Sequence, residues 1–166
     1  MEWEELFDRH HAGLFRFVAR MTGDAEQAKD IVQDTFIRIA GKPAPPGVPP
    51  DAWLFGIAQN LTRTALRRRR RRLVLLSGRV HGVPRPAEPT RPDDNAAQAE
   101  LRADVRAALA RLSERERSIL LMREEGFRHR EIAAALGTTT SSVGTMIARA
   151  LAKLEGHLGT KWRDAP

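Results

Sequence analysis

Hydrophobic side chains recur at intervals of three and four residues in two stretches of this chain, and that spacing predicts amphipathic α-helices. In the first stretch we expect three helices: one that ends at Gly23, a second that is capped by Asp24 and a third that is capped by Asp51. Gln27 stands where it would complete a capping box with Asp24. The side chains expected to be buried are Trp3, Phe7, Leu14, Phe15, Val18 and Met21 in the first helix, Ala28, Ile31, Val32, Thr35, Phe36 and Ile39 in the second, and Leu54, Ile57, Ala58, Leu61 and Ala65 in the third.

The second stretch has the order of a helix-turn-helix. A helix over about residues 98–112 comes first, and Ser113 and Glu116 then form a capping box at the start of the next. Gly126 and Gly137 suit the left-handed residues that end helices, and they enclose a short helix that is followed by a longer one. The side chains expected to be buried are Leu101, Val105, Ala108 and Leu109 in the opening helix and Val143, Ile147, Ala150, Leu151 and Leu154 in the last.

The outer face of the last helix is short, polar and basic. It carries Ser141, Ser142, Thr145 and Arg149, which are the residue types that a reader of the DNA major groove needs. The alternative is an ordinary helical hairpin with a solvated outer face.

Proline-rich segments separate the helices. Five of the ten prolines fall within residues 43–50, which predicts a constrained connector without helix. Residues 73–95 hold four prolines and two glycines and lack a helical period, so we expect a flexible linker there. The predicted architecture is all-α, with two small helical domains at residues 1–72 and 96–158, the linker at 73–95 and a tail at 159–166.

The charge distribution points to a polyanionic partner. The chain has 28 Lys and Arg against 21 Asp and Glu, a formal net charge of +7. Residues 1–66 have a net charge of −2, residues 67–95 of +6 and residues 96–166 of +3. The run of six arginines at residues 67–72 is suited to phosphate contacts that salt would weaken; the alternative is a solubilising start to the linker.

Several classes of protein are disfavoured. The histidines, at positions 10, 11, 81, 129 and 157, form no metal-ligand spacing, and we find no nucleophile elbow or phosphate-binding glycine loop. We therefore expect neither an enzyme nor a metal or other cofactor. The absence of cysteine, of a long apolar run and of a signal peptide predicts a soluble cytoplasmic protein without membrane insertion.

Two further helix faces suggest binding surfaces. Asp30, Gln33, Asp34 and Ile37 lie three or four residues apart on the second helix, so an acidic ridge borders its apolar stripe. This ridge suits a basic partner surface, and the alternative is a solvated acidic face. On the third helix, a polar ridge lies opposite the buried stripe and consists of Gly56, Asn60, Arg63 and Arg67.

Four segments resemble bacterial sigma factors of the extracytoplasmic-function group. They are EELFDRH at residues 4–10, GDAEQAKDIVQDTF at 23–36, AWLFGIAQN at 52–60 with the arginine run after it, and the stretch 107–154. The resemblance implies a non-catalytic protein that binds core RNA polymerase through the clamp helices of its largest subunit and through its flap. It also implies promoter DNA and an anti-sigma factor as partners.

The resemblance assigns the candidate site residues as follows. Asp30, Gln33, Asp34, Phe36 and Ile37 would bind core polymerase; Asn60, Arg63, Arg67 and Arg68 would bind the minus-ten element; Arg128, Arg130, Ser141, Ser142, Thr145 and Arg149 would bind the minus-thirty-five element.

The chain departs from the family pattern in its proline-rich loop, at Thr64 and in the last helix. Basic residues common in the family are replaced there by Gly144 and Met146, which leaves Arg149 as the main phosphate contact of that helix before Lys153. Two other functions fit parts of the pattern: a helix-turn-helix regulator that does not bind polymerase, and a sigma-like protein that titrates an anti-sigma factor.

Overall fold

The protein is all-α, as predicted. The structure, a computed structural model, describes residues 3–77 and 96–159, and these residues form seven helices and no strand. The helices are α1 (Trp3–Thr22), α2 (Ala25–Ile39), α3 (Pro50–Ser77), α4 (Ala96–Ala110), α5 (Glu114–Glu124), α6 (His129–Leu136) and α7 (Thr140–Leu158). They separate into two compact units, one built from α1, α2 and α3 and the other from α4, α5, α7 and the first residues of α6. The predicted linker lies outside the described residues from position 78 to position 95, and the tail lies outside them from position 160.

The core of the first unit forms where the apolar faces of its three helices meet. All six residues predicted to be buried on α2 are buried, and Phe17 of α1 packs against Phe55 of α3 with ring centroids 5.5 Å apart. Leu6 and Phe17 are buried although the predicted stripe of α1 omitted them. A helix surrounded on two sides buries a wider face than one row of apolar residues.

The buried face of α3 includes Leu54 and Ala58, as predicted, but is rotated from the predicted one. Phe55, Thr62 and Leu66 are buried, whereas the predicted residues Ile57, Leu61 and Ala65 are only half-buried. The core-facing row follows Phe55, a large side chain that packs on Phe17. Thr62 falls on the same side of the helix seven residues later, and its polarity hid that row in the sequence.

Two of the predicted caps in the first unit differ in the structure. Asp24 does cap α2, since its carboxylate accepts the Gln27 backbone N–H at 3.0 Å, but the Gln27 side-chain oxygen has no hydrogen-bond partner, so no reciprocal box forms. Helix α3 begins at Pro50, one residue before the predicted cap, because proline suits a first helical position where no backbone donor is needed. The Asp51 carboxylate instead lies 3.1 Å from His10 Nε2.

Helix α3 is longer than expected. It runs through all six arginines and ends at Ser77, so the first five residues of the predicted linker are helical. Arginine and leucine favour helix, and no proline occurs between Pro50 and Pro84 to end it earlier.

In the second unit, the predicted turns and caps are confirmed. Ser113 and Glu116 form the complete capping box, and Gly126 and Gly137 have positive φ angles of 93° and 60°. Arg117 adds a contact that the sequence did not reveal. Its guanidinium donates to the carbonyls of Leu109 at 2.9 Å, Ala110 at 3.1 Å and Leu112 at 3.3 Å, and thereby closes the end of α4.

The predicted apolar stripes of this unit are only partly buried. Leu101 and Leu151 are 37% and 44% exposed, contrary to prediction, whereas Ala108, Val143 and Ala150 are buried. Val105, Leu109, Ile147 and Leu154 are half-buried. Such a small domain has too little interior to cover every apolar position of its helices.

Candidate functional site

The acidic ridge predicted on α2 lies on the surface. Asp30, Gln33, Asp34 and Ile37 are all exposed, and Ile37 is 63% exposed although it is apolar. The fifth residue of the predicted polymerase site, Phe36, is 4% exposed. Phe36 belongs to the buried stripe of α2 and therefore does not share the outward face of the ridge.

An apolar groove of about 630 Å³ borders this ridge. Its α2 wall includes Gln33, Phe36 and Ile37 from the predicted site, and the Phe36 ring lies 4.7 Å from that of Phe7. The α1 wall is a row at intervals of four residues, formed by Phe7, His11 and Phe15. Phe7 and Phe15 were predicted to be buried but are half-buried, and only the packing of α1 beside α2 shows that this row lines a groove. The spacing of Phe7, His11 and Phe15 at intervals of four residues was the sequence signal that could have revealed this row.

Three of the four residues of the polar ridge predicted on α3 are at the surface, whereas Gly56 is buried, contrary to prediction. Asn60, Arg63, Arg67 and Arg68 are exposed, so all four predicted minus-ten residues are accessible. Asn60, Arg63 and Arg67 follow one another at intervals of three and four residues and therefore form a single row. This row presents an amide and two guanidinium groups, which are donors suited to bases and phosphates.

The run of six arginines does not form one surface. Arg69 is half-buried, and its guanidinium donates to the backbone carbonyl of Thr22 at 3.4 Å, at the carboxyl end of α1. Successive residues of a helix point in directions about 100° apart, so six in a row surround the axis. Arg69 therefore lies on the core-facing side, whereas Arg67 and Arg68 face outward.

The predicted reading face of α7 lies in the first ten residues of the helix. Ser141, Thr145 and Arg149 are exposed, and Ser142 is half-buried. Thr139 caps the helix by accepting the Ser142 backbone N–H at 3.3 Å, and its hydroxyl lies 3.1 Å from Ser141 Oγ and 2.7 Å from Ser142 Oγ. The two serine hydroxyls are therefore held against the cap.

The basic pair of α6 lies close to this reading face. Arg128 and Arg130 are exposed on either side of His129, whose Cε1 lies 3.8 Å from the position that a Cβ on Gly144 would take. The start of α6 thus packs beside the start of α7. The backbone N–H of Arg128 donates to Glu131 Oε2 at 2.7 Å, which satisfies a free donor at the start of α6.

Comparison with known proteins identifies the family. The Sigma-70 region 2 family matches residues 6–72, and the Sigma-70 region 4 family matches residues 102–154. The extracytoplasmic-function (ECF) RNA polymerase sigma factor SigL of Mycobacterium tuberculosis is 37% identical over an alignment of 143 residues, and the match covers 83% of this chain and 78% of SigL.

The chain belongs to the ECF sigma factors. A second relative of this sigma factor is the ECF RNA polymerase sigma factor SigE of Mycolicibacterium smegmatis, 32% identical over 160 residues; the match takes in 94% of this chain but 61% of SigE. The solved structure of CnrH in complex with the cytosolic domain of CnrY has a TM-score of 0.67 at 29% identity and covers 96% of this chain and 88% of CnrH.

A third comparison bears on the fold alone. The sigma factor RpoE of Bartonella quintana, solved in complex with the anti-sigma factor NepR, has a TM-score of 0.75 at 24% identity, with 95% of this chain and 97% of that one covered. The region 2 match of the present sigma factor ends within α3, and its region 4 match starts within α4, so each candidate surface falls inside one matched region.

Two further observations concern the described residues of this sigma factor. Across residues 3–77 and 96–159, the helices include none with both the length and the apolar character needed to cross a membrane. Within those same ranges, His, Asp and Glu side chains form no group of three or more that could hold a metal ion.

Proposed function

We propose that this ECF sigma factor acts in the cytoplasm, binds core RNA polymerase and directs it to promoters by recognising a minus-ten and a minus-thirty-five element. The observation that carries the proposal is the placement of an exposed acidic and apolar surface on α2 in the same unit as the exposed Asn60 and arginine row of α3. A protein that only binds DNA has no use for the α2 surface. The catalysis of RNA synthesis belongs to the polymerase.

The α2 surface suits a partner helix that is both basic and apolar. Asp30 and Asp34 provide negative charge, and Ile37 provides an apolar side chain that lies more than half in solvent. An exposed apolar side chain beside charges of one sign is typical of a protein interface. We assign this surface to the clamp helices of the largest polymerase subunit, with Phe36 acting from within the groove wall, and we assign the second unit to the polymerase flap.

The α3 row suits a DNA strand. The Asn60 amide can donate to and accept from a base edge, whereas Arg63, Arg67 and Arg68 can bind phosphates. The proposal assigns these four residues to the minus-ten element. Base capture would be sequence-dependent through Asn60, and the arginines would contribute affinity that depends on salt.

The second unit would read the minus-thirty-five element as duplex DNA. Thr145 and Arg149 face outward from α7, Ser141 and Ser142 lie at its amino end, and Arg128 and Arg130 lie at the adjacent start of α6. The amino end of a recognition helix is the part that contacts base edges in a helix-turn-helix. Arg149 and the α6 arginines would bind the flanking phosphates.

An anti-sigma factor is a further proposed partner. The Bartonella RpoE was solved in complex with the anti-sigma factor NepR, and CnrH was solved in complex with the cytosolic domain of CnrY. In this sigma factor, the α2 ridge and its groove offer a regulator the surface that polymerase would need. A regulator bound there would exclude polymerase by direct competition.

A charge reversal on the ridge tests polymerase binding. We expect Asp34→Lys to lower the affinity for core polymerase by at least about tenfold, because a like charge placed against a basic partner costs more than 1.4 kcal/mol. The matched control is Asp8→Lys, the same charge change at an exposed position of α1 outside the groove lining. The measurement is capture of purified core enzyme, with circular dichroism to show that both variants are folded. Equal capture by wild type and Asp34→Lys would contradict this docking face.

Run-off transcription tests the function as a whole. Purified core enzyme with the full-length protein should initiate at defined positions on promoter fragments, and core enzyme alone should not. A regulator that never binds polymerase, or a protein that only titrates an anti-sigma factor, would give no promoter-specific transcript in this assay.

A further inference from the structure

By its position in the helix, Lys153 lies on the side of α7 that the proposed function assigns to DNA. It follows Arg149 by four residues and Thr145 by eight, so its side chain projects on the same side of the helix as theirs. From the sequence, Lys153 would therefore be the next phosphate contact after Arg149.

The structure gives Lys153 a different partner. Its ammonium group forms an ion pair with Glu116 Oε1 on α5, 37 residues away in the chain. The Glu116 side chain is 18% exposed and the Lys153 side chain is 57% exposed, so the carboxylate is largely covered by protein. The pair connects α5 to α7, two helices that already pack together.

The Glu116 carboxylate contacts both α7 and the residue that caps the start of α5. While Oε1 pairs with α7, Oε2 accepts the Ser113 backbone N–H at 3.0 Å and lies 2.9 Å from Ser113 Oγ. The hydrogen bond from Lys153, and then the one from the Ser113 backbone, lower the pKa of Glu116 to about 2. The carboxylate is therefore charged at every pH at which the protein would work.

The apolar face of α7 is only partly buried. Of its hydrophobic positions, Val143 and Ala150 are fully buried, whereas Ile147 and Leu154 are half-buried and Leu151 is 44% exposed. Apolar contact is non-directional, so a stripe covered this incompletely fixes the rotation of a helix about its own axis only loosely. A charged hydrogen bond from a side chain of α7 to a rigid cap on α5 is directional.

We propose that Glu116 and Lys153 are positioning residues for recognition of the minus-thirty-five element, and that Lys153 holds the rotation of α7 rather than contacting DNA. The proposal rests on the proposed binding of that element by the second unit. Lys153 lies eight residues after Thr145, about 12 Å along the helix axis. A side chain at that distance acts on the reading face by orienting the whole helix.

The two roles for Lys153 predict opposite effects of removing the charge on Glu116. If Lys153 bound a phosphate, Glu116 would compete with DNA for the ammonium group, and its neutralisation would raise the affinity. If the pair orients α7, the same change lowers the affinity. The salt dependence differs as well, because loss of one phosphate contact reduces the slope of log affinity against log salt by about 0.9.

The experiment uses the full chain and a duplex that carries the minus-thirty-five element of a promoter mapped from transcript starts. Glu116→Gln removes the charge but keeps an acceptor for the capping box. Lys153→Met removes the ammonium group and keeps a side chain of similar length. We expect each variant to weaken binding by about two- to fivefold, the range of an exposed ion pair, and the double variant to be no weaker than either. The slope of log affinity against log salt should equal that of the wild type.

Two control variants separate orientation from other effects. Arg149→Met should weaken binding and lower the salt slope, as expected for a phosphate contact. Ser113→Ala removes the serine hydroxyl but keeps the backbone N–H that holds Glu116 Oε2 and the ion pair with Lys153, so it should lower the melting temperature without changing the affinity of the folded protein.

Four results would overturn the proposal. Tighter binding by Glu116→Gln, or a reduced salt slope for Lys153→Met, would identify Lys153 as a phosphate contact. If Glu116→Gln and Lys153→Met both bind DNA with wild-type affinity, the pair has no positioning role, whereas the proposed function of the second unit stands. A wild-type protein that binds no promoter duplex and supports no promoter-specific transcript would overturn the proposed function, and the positioning role with it.

Discussion

Six consecutive arginines are equivalent in the sequence, but the helix divides them. Arg69 donates to the Thr22 carbonyl at the end of α1, where the partial negative charge of the helix dipole favours a cation, and Arg68 faces outward. We expect Arg69→Ala to lower the free energy of unfolding by about 0.5–1.5 kcal/mol and to leave the salt dependence of DNA binding unchanged. Thermal denaturation measures the first effect and gel shifts at several salt concentrations measure the second.

Arg68→Ala is the matched control, since it removes the same side chain one position earlier. It should leave the melting temperature unchanged and reduce the salt slope by about 0.7–0.9, as the loss of one phosphate contact does. Identical behaviour of the two variants in both assays would mean that the arginine run acts as one surface.

Gly144 lowers the stability of α7 without a packing reason. A Cβ at this position would have its nearest neighbour at 3.8 Å, the His129 ring, which is an ordinary contact distance. We expect Gly144→Ala to stabilise the protein by about 1 kcal/mol, because glycine loses more backbone entropy in a helix. Calorimetry should show a rise of a few degrees in the unfolding transition of the second unit.

The control for this substitution is Gly126→Ala. Gly126 has a φ angle of 93°, which L side chains rarely adopt, so alanine should destabilise the protein there even though no atom lies within 4 Å. A lower melting temperature for Gly144→Ala would show that the glycine is required in the fold.

At the level of the helices, sequence periodicity was sufficient to predict the buried residues where a helix is amphipathic and packs on one side. All six predicted positions of α2 are buried, and the Ser113 and Glu116 box at the start of α5 is complete. These features depend on residues three or four apart, which a sequence displays directly.

The features that sequence reasoning missed depend on neighbouring helices. The Phe7 row of α1 lines a groove because α2 lies beside it, and α3 buries the row of Phe55 because Phe17 faces it. Lys153 of α7 pairs with Glu116 of α5, across 37 residues of chain. No local spacing encodes such contacts, so the site residues could be assigned to faces but their partners could not.

The Glu116 carboxylate makes the joint between α5 and α7 sensitive to acid. The pKa of Glu116 in the folded protein is about 2, below its ordinary value of 4.5, because Lys153 and the Ser113 backbone donate to the charged form. The lowered pKa of Glu116 stabilises the folded protein at pH values above 4.5. That stabilisation is lost as the pH falls from about 4.5 toward 2. We expect the free energy of unfolding of wild type to fall more steeply over this interval than that of Glu116→Gln.

The expected difference is small, about 0.2–1 kcal/mol, because the ammonium group of Lys153 is more than half exposed to screening solvent. Urea denaturation of both proteins at pH 6 and at about pH 3 measures it, and taking the difference between them removes the titration of the other carboxylates. Parallel pH profiles would show that the carboxylate has no stabilising partner in solution.

For the molecule as a whole, the proposed function depends on two candidate reading surfaces that one chain carries in separate units. Asn60 and its arginine row belong to the first unit, and Thr145 and Arg149 belong to the second. With one surface bound, the proposed function would hold the other near the DNA at high effective concentration, so that the two contacts would combine into a tighter one. The proposed function therefore predicts that neither surface is sufficient alone.

Mapping transcript starts after overexpression tests this expectation on whichever promoters the protein selects in the cell. Upstream of the induced starts, we expect two shared sequence blocks at a constant separation, because the polymerase-bound protein contacts both at once. Scrambling either block should lower run-off transcription by at least about a hundredfold, the lower end of the gain from linked binding. Arg149→Met should act only through the upstream block and Asn60→Ala only through the downstream one. A single shared block, or full activity with one block scrambled, would mean that one unit selects the promoter and that the other serves another purpose.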